Sequence, residues 1–166
     1  MNCQPQRLGT LLPLLLVLSS CGTLHQEYAG EPRPEYETAI LANGHSPWSG
    51  GIAKLRALNG NPVRQSSTYD RFAILPGHYE IEATIHRNTL APGGAQAAGP
   101  FCIRFEAEAG KRYVLDGIAD WFSYKPWQMW IEDEETGKII AESGKVGTGG
   151  LNSDIPFEEA KMPCAE

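Results

Sequence analysis

Polar and apolar residues alternate along two stretches in the middle of the chain, residues 78–86 and residues 101–107. This period of two predicts β-strands with one face in a core and the other face in water. The outward face of the second strand carries Cys102. The predicted inward positions are Tyr79, Ile81, Ala83, Ile85, Phe101, Ile103, Phe105 and Ala107.

Shorter apolar runs predict the remaining strands. The run at 52–58 fits either a strand or a helical turn, and we favour a strand. Residues 127–132 and 138–141 predict a hairpin across residues 133–137. Residues 88–100 are rich in Gly, Pro and Ala, which predicts a long flexible connection. Further strands are predicted at residues 38–42, 69–75 and 112–115.

Turn signals such as Asn43-Gly44 and Pro76-Gly77 separate these strands. Many short strands joined by turns are typical of an all-β sandwich or barrel. We therefore predict one antiparallel β-sandwich domain, immunoglobulin-like or related, over residues 38–142. The Gly-rich residues 143–166 are predicted to form a C-terminal tail.

A basic and apolar leader precedes the domain. Arg7 is followed by an apolar run over residues 8–18 and then by Ser19-Ser20-Cys21. A charged end, an apolar middle and small residues before a cleavage site are the layout of a secretory signal. A transmembrane helix needs about 20 apolar residues, whereas this run has about 11 and contains Pro13. A plain signal peptide cut near Ser20 is the other alternative.

The segment Leu18-Ser19-Ser20-Cys21 resembles the lipobox of bacterial lipoproteins. The resemblance implies that residues 1–20 are removed and that Cys21 carries acyl chains such as palmitate. Each buried methylene contributes about 0.8 kcal/mol, and more than one chain is needed for stable anchoring. Gly22 stands where Asp in that family favours the inner membrane. The resemblance therefore implies an anchor in the cell outer membrane, facing the periplasm.

Residues 21–37 are predicted to be the lipidated N-terminus and a flexible tether. Pro32 and Pro34 disfavour helix and regular strand and favour extended backbone. Such a segment would lift the domain off the membrane. A binding role for its tyrosines is the less favoured alternative.

Charge limits the partners that this chain can bind. Without residues 1–20 the chain has 146 residues, which is one domain's worth, and its net charge changes from −6 to −7 because Arg7 is lost. An acidic protein is a poor binder of nucleic acid, whose phosphates need clustered Lys and Arg. We predict no nucleic-acid partner and a membrane link through the lipid on Cys21 alone.

The cysteines predict one disulfide. Cys3 leaves with the leader and Cys21 takes the lipid, so Cys102 and Cys164 remain in an oxidising compartment. We predict that these two form a bond that pins the C-terminal tail to the outer face of the sheet. Two free thiols or a metal site are the alternatives, and structural zinc would need four Cys or His ligands.

Several motifs carry a second resemblance, to small uncharacterised proteobacterial lipoproteins in which a Leu-Pro-Gly turn opens a strand. It covers about residues 28–141 and implies a β-rich domain without implying an activity. The insert at 91–100 and the Cys-bearing tail depart from it, so no site residue is carried over. The motifs are Tyr28-Ala29-Gly30-Glu31-Pro32, the segments 74–81 and 105–113, and Trp130-Ile131-Glu132-Asp133 with Thr136-Gly137.

Catalytic and metal chemistry find little support in the sequence. His78 and His86 would lie about 26 Å apart on one strand, too far to share a metal. The Gly-rich run 144–150 lacks the ending of a phosphate loop, and the acidic run 132–135 lacks the spacing of a calcium loop. Glutamates on the strand faces are predicted to be solvated. We predict no enzyme activity, no catalytic residue, no cofactor and no metal.

Aromatic residues cluster between residues 121 and 130. If Trp127 faces the core, then Trp130 faces outward, and exposed aromatics contact proteins or stack on sugar rings. We predict a non-enzymatic interaction or structural module of the cell envelope, whose partner is an unknown envelope protein. The alternative is a lipoprotein that binds a small ligand or glycan. The candidate binding residues are Trp121, Tyr124 and Trp130.

Overall fold

The computed structural model describes residues 22–44, 51–65, 67–87, 96–118 and 127–145, together with Cys164. In this part the chain is nearly all β, as the sequence predicted, and Glu35–Glu37 form a short 3-10 helix. No helix in the described residues has the length and apolar character that a membrane span requires. The strands are β1 (Leu24–Gln26), β2 (Ala39–Asn43), β3 (Gly51–Leu58), β4 (Asn61–Pro62), β5 (Arg71–Ile74), β6 (Gly77–Arg87), β7 (Gln96–Ala107), β8 (Arg112–Ile118), β9 (Gln128–Asp133) and β10 (Ile139–Glu142).

The strands form two sheets. The six-stranded sheet has the order β1-β5-β2-β8-β9-β10, and the four-stranded sheet has the order β4-β3-β6-β7. The four-stranded sheet is antiparallel throughout. In the six-stranded sheet, β1 pairs with β5 and β2 pairs with β8 in parallel. The prediction of a wholly antiparallel arrangement is therefore wrong for these two pairs. Parallel neighbours need a long crossover, and β2 reaches β8 only after the chain has built the four-stranded sheet.

Both sheets contribute to one hydrophobic core. The inward positions predicted for β6 and β7 are buried, except that Tyr79 is half-buried against the edge of the core. Full burial of a large apolar side chain stabilises the fold by about 1.5–3 kcal/mol. This core therefore makes the main favourable contribution to the free energy of folding. Its fully buried members include Leu41, Phe72, Ile74, Leu115, Met129 and Ile131 from the six-stranded sheet and Leu55, Ile81, Ile85, Phe101 and Ile103 from the four-stranded sheet.

Two predictions about local structure are confirmed. Residues 52–58 lie in a strand, β3, in which buried Ala53 and Leu55 alternate with more exposed neighbours. The hairpin of β9 and β10 is present, with the acidic run at its tip. In that tip, Gly137 has φ +66° and donates its backbone N–H to the carbonyl of Asp133. Glycine adopts this conformation without the steric cost that a side chain would bring.

Two predicted flexible segments contain regular structure. Residues 96–100 belong to β7 and pair with β6, although Gly and Pro there predicted a loop. Leu24–Gln26 form β1, although residues 21–37 were predicted to be a tether. In both cases a long neighbouring strand or sheet edge supplies hydrogen-bond partners that the local sequence does not reveal.

Candidate functional site

The structure describes three of the predicted site residues: Trp130, Cys102 and Cys164. Cys21, Trp121 and Tyr124 lie outside the described residues. The aromatic cluster is therefore represented by Trp127 and Trp130 only, and these two lie on opposite faces of the same sheet.

Trp130 lies on the outer face of the six-stranded sheet. Its neighbours Met129 and Ile131 are fully buried, so the alternation along β9 turns Trp130 away from the core, as predicted. The register places Asp116 opposite it on β8 and Glu142 opposite it on β10. Trp130 is half-buried rather than exposed, and its buried indole N–H donates to no described residue. The register therefore flanks Trp130 with an acidic residue on each neighbouring strand.

The strand end beside Trp130 is fixed by side chains. The Gln128 amide donates to the Glu142 carboxylate at 2.7 Å, and the Ser143 hydroxyl accepts the N–H of Met129 at 3.0 Å. The backbone N–H of Ser143 in turn donates to the Met129 carbonyl at 2.8 Å. These bonds hold the end of β10 against β9, beside Trp130.

The predicted disulfide is present, between Cys102 and Cys164. Cys102 points outward from β7, and Cys164 Sγ lies 3.7 Å from the carbonyl oxygen of Ile81. The Glu80 carboxylate is within 4.8 Å of both sulfurs. Because each sulfur is engaged in the bond, neither is available as a thiolate ligand, and this trio is not a metal site.

Glutamates on the outer face of the four-stranded sheet lie opposite Arg and His side chains on the neighbouring strand. Glu80 on β6 lies opposite Arg104 on β7 and accepts a hydrogen bond from its Nε at 2.8 Å. Glu106 lies opposite His78, with 3.9 Å between the carboxylate and Nδ1. Exposed pairs of this kind contribute about 0.2–1 kcal/mol each. Glu80 and Glu106 are thus each engaged by a side chain on the neighbouring strand.

The segment that follows Cys21 is built into the sheet edge. The N–H of Arg71 donates to the Thr23 carbonyl, and the N–H of Glu27 donates to the Ala73 carbonyl, both at 2.9 Å. A Cβ on Gly22 would occupy the space of the Tyr69 carbonyl oxygen. Close packing therefore favours glycine at position 22, in addition to the sorting role that the lipoprotein resemblance implies for this position.

His25 is a residue whose role the sequence did not predict. It faces inward from β1, stacks on Phe72 with 5.4 Å between ring centroids, and lies 3.3 Å from a carboxylate oxygen of the buried Asp70. Partial burial raises the pKa of neighbouring Glu27 above its ordinary 4.5, and His25 opposes that shift. A three-residue strand is too short to give a periodic signal, so nothing in the local sequence could have identified this contact.

Comparisons of the chain with family models, with curated proteins and with solved structures gave no match. The assignment of function therefore depends on the residues of this chain and on their arrangement.

Proposed function

We propose that this protein is an outer-membrane lipoprotein, anchored through acyl chains on Cys21, that acts as a non-enzymatic interaction or structural module of the cell envelope. The observation that carries the proposal is the order of residues 7–21: a basic residue, an apolar run, and Leu18-Ser19-Ser20-Cys21. The charged start and the apolar segment have the layout of a secretory signal, and the Cys after Leu-Ser-Ser resembles the lipobox of bacterial lipoproteins.

The start of the folded domain supports an anchor at this position. Gly22 directly follows Cys21 in the sequence, and β1 begins two residues later, at Leu24. An acylated Cys21 would thus be bonded to the sheet edge rather than to a long spacer. The acyl chains would therefore hold the domain at the membrane surface, whereas the tether predicted from the sequence would lift it away.

Labelling with radioactive palmitate tests the anchor. The full chain is expected to incorporate the label and to fractionate with the outer membrane, and Cys21→Ser is expected to lose both properties. Cys3→Ser is the matched control, because Cys3 lies in the leader and its loss should leave labelling unchanged. A Cys21→Ser chain that stays labelled and membrane-bound would contradict the proposal.

The outer face of the six-stranded sheet is the surface that we favour for a protein partner. Trp130 lies on this face beside a strand end that side-chain hydrogen bonds hold in place, and aromatic residues are enriched at protein interfaces. A photo-crosslinking residue at Glu132, which is on this face, is expected to capture an envelope protein in intact cells. The same residue at Lys54, on the outer face of the four-stranded sheet, is the control. Equal capture at both sites, or none at either, would contradict this choice of surface.

Binding of a small ligand or glycan is the second candidate, and the placement of Trp130 between Asp116 and Glu142 favours it. The sequence predicts Trp121 and Tyr124 as further binding residues, and both lie outside the described residues. Tryptophan fluorescence of the full chain should then change on titration with peptidoglycan fragments, and Trp130→Phe should weaken the response. An unchanged fluorescence would rule out peptidoglycan as the ligand.

The finer fold assignment, an immunoglobulin-like or related β-sandwich, is also proposed. The core shared by the two sheets supports a sandwich, in which sheets pack face to face about 10 Å apart. A crystal structure in which the two sheets do not face each other would exclude it.

A further inference from the structure

A groove of about 890 Å³ lies between the N-terminal segment, residues 22–35, and the outer face of the six-stranded sheet. Ile40 and Ala73 form part of its floor. Both point outward from their strands, yet they are only 5% and 7% exposed. The N-terminal segment therefore roofs this part of the sheet, and the groove is a built feature of the fold.

The groove is cationic, although the protein as a whole is acidic. Arg33, Arg71 and Arg112 line it, together with a single carboxylate, that of Glu35. The Nε of Arg112 donates to Glu35 at 2.7 Å. Within the described residues, Arg33 and Arg71 form no ion pair. In a chain with a net charge of −6, two arginines without a counterion in one groove indicate an anionic ligand.

The roof of the groove is held in one conformation by its own hydrogen bonds. The Gln26 amide donates to the carbonyls of Tyr28 and Gly30, both at 2.9 Å, and the Tyr28 hydroxyl accepts the N–H of Arg33 at 2.9 Å. These bonds fix the backbone at Arg33, which lines the groove together with Arg71. This preorganisation lowers the entropic cost of binding.

We propose that this groove binds the phosphate of a membrane-lipid headgroup. Guanidinium groups bind phosphate oxygens through paired, charge-assisted hydrogen bonds, and Arg33 and Arg71 supply two such forks. The choice of a lipid as the source of the phosphate rests on the proposed anchor at Cys21. Gly22, the residue bonded to Cys21, lines the groove, and so does Leu24, which is 59% exposed. Tyr69, which contacts Gly22, is also exposed and is an aromatic residue suited to the headgroup layer.

The proposal gives the domain an orientation. The acyl chains and the bound headgroup would act at the same end of the sheet, so the β1–β5 edge would lie against the bilayer. Trp130 lies on β9, three strands from β5, and would remain free to contact an envelope partner.

Isothermal titration calorimetry on the full chain, purified from cells in dodecyl maltoside, tests this proposal. The probe is dihexanoyl phosphatidylglycerol below its micelle-forming concentration, and dihexanoylglycerol and inorganic phosphate are run beside it. The phospholipid is expected to bind, and Arg33→Gln with Arg71→Gln is expected to weaken binding at least about tenfold. Arg64 is exposed, follows β4 and does not line the groove. Arg64→Gln removes the same kind of charge and should leave the affinity for the phospholipid unchanged.

Three results would overturn the proposal. If dihexanoylglycerol binds as tightly as the phospholipid, the phosphate is not recognised. If inorganic phosphate binds as tightly, the groove is a site for soluble phosphate rather than for lipid. If the phospholipid does not bind, or binds equally well to the double variant, the groove has no such role. Palmitate labelling is read separately, so failure of the anchor and failure of the groove are distinguishable.

Discussion

The side-chain oxygen of Asn43 accepts a hydrogen bond from the backbone N–H of Leu55 at 2.9 Å, and this contact joins the two sheets. Asn43 is the last residue of β2 in the six-stranded sheet, and Leu55 lies in β3 of the four-stranded sheet beside a β-bulge. The backbone N–H of Asn43 donates to the Asp70 carbonyl at 3.0 Å, and the Gly44 carbonyl accepts from Ala53 at 3.0 Å. Asn43 thus ties the two sheets at the point where the chain passes between them.

Replacement of Asn43 by Ala is expected to lower the free energy of unfolding by about 1–3 kcal/mol, because the buried N–H of Leu55 would lose its acceptor. Urea unfolding followed by circular dichroism measures the change. Asn61→Ala is the control, since the Asn61 side chain is exposed and bonds to the carbonyl of Asn59 in its own turn. An Asn43→Ala midpoint equal to that of the control would show that the inter-sheet bond contributes nothing.

Gly22→Ala is expected to detach the first strand from the sheet. The added Cβ has no space beside the Tyr69 carbonyl, so β1 must move away from β5. Hydrogen exchange should then accelerate at the amides of Glu27 and Arg71, which bond across this pair. Ala29→Ser, an exposed substitution, serves as the reference. Unchanged protection at both amides would contradict the close packing of Gly22.

Adjacent residues of β8 should differ sharply in their tolerance of truncation. Leu115 is fully buried and Val114 is half-exposed on the other face. Leu115→Ala is expected to cost about 2–5 kcal/mol of stability, because it leaves a cavity in the core. Val114→Ala should cost less than about 1 kcal/mol. Similar losses for the two variants, measured by urea unfolding, would mean that the faces of β8 are assigned incorrectly.

Loss of the disulfide should destabilise the protein without changing its fold. Cys102 and Cys164 are 62 residues apart, and closure of a loop of that length restricts the unfolded chain by about 4 kcal/mol. Dithiothreitol is expected to lower the urea midpoint of the native chain to that of the double Cys→Ser variant. Dithiothreitol should leave the urea midpoint of the double Cys→Ser variant unchanged. A native midpoint that does not respond to complete reduction would contradict a stabilising role.

Asp133 is expected to make stability depend on pH in the acid range. Hydrogen bonds from the backbone N–H and hydroxyl of Thr136, and one from Lys111, lower the pKa of its carboxyl below the ordinary 3.8. The folded state therefore holds this proton less tightly than the unfolded state does. The stabilising contribution is complete above about pH 3.8 and is lost as the pH falls through the lower, folded-state pKa.

Urea unfolding at a series of pH values from 7 to 2 checks this expectation. The stability difference between the native chain and Asp133→Asn should be constant near neutrality and should shrink below pH 3.8. Glu134→Gln, an exposed neighbour at the same hairpin tip, is the control. A difference that stays the same over the whole acid range would exclude Asp133 as the group responsible.

Local periodicity was sufficient where a strand was long and half-buried. The alternation in residues 78–86 and 101–107 predicted both faces of β6 and β7, and it placed Cys102 where Cys164 could reach it. Alternation over residues 127–131 likewise predicted that Trp130 would face away from the core if Trp127 faced it. The burial of Trp127, Met129 and Ile131 confirms this. These features follow from the backbone, since successive side chains of a strand point to opposite faces whatever else is nearby.

Pairing between distant segments could not be predicted in this way. Leu24–Gln26 form a strand only because the edge of β5 offers hydrogen bonds, and the same three residues in isolation would have no reason to do so. Asn43-Gly44 has the composition of a turn, yet Asn43 ends a strand and joins the sheets.

The sequence by itself determined that this is a β-rich chain, which residues face the core, and which cysteines pair, because alternation and cysteine number are local or countable properties. Only the tertiary structure decided the two parallel pairings, the docking of the segment after Cys21 onto β5, and the grouping of Arg33, Arg71 and Arg112 around one groove. Those three arginines are far apart along the chain. They come together because sheet register places β5 and β8 on either side of β2 and the chain between β1 and β2, which carries Arg33, folds back over them.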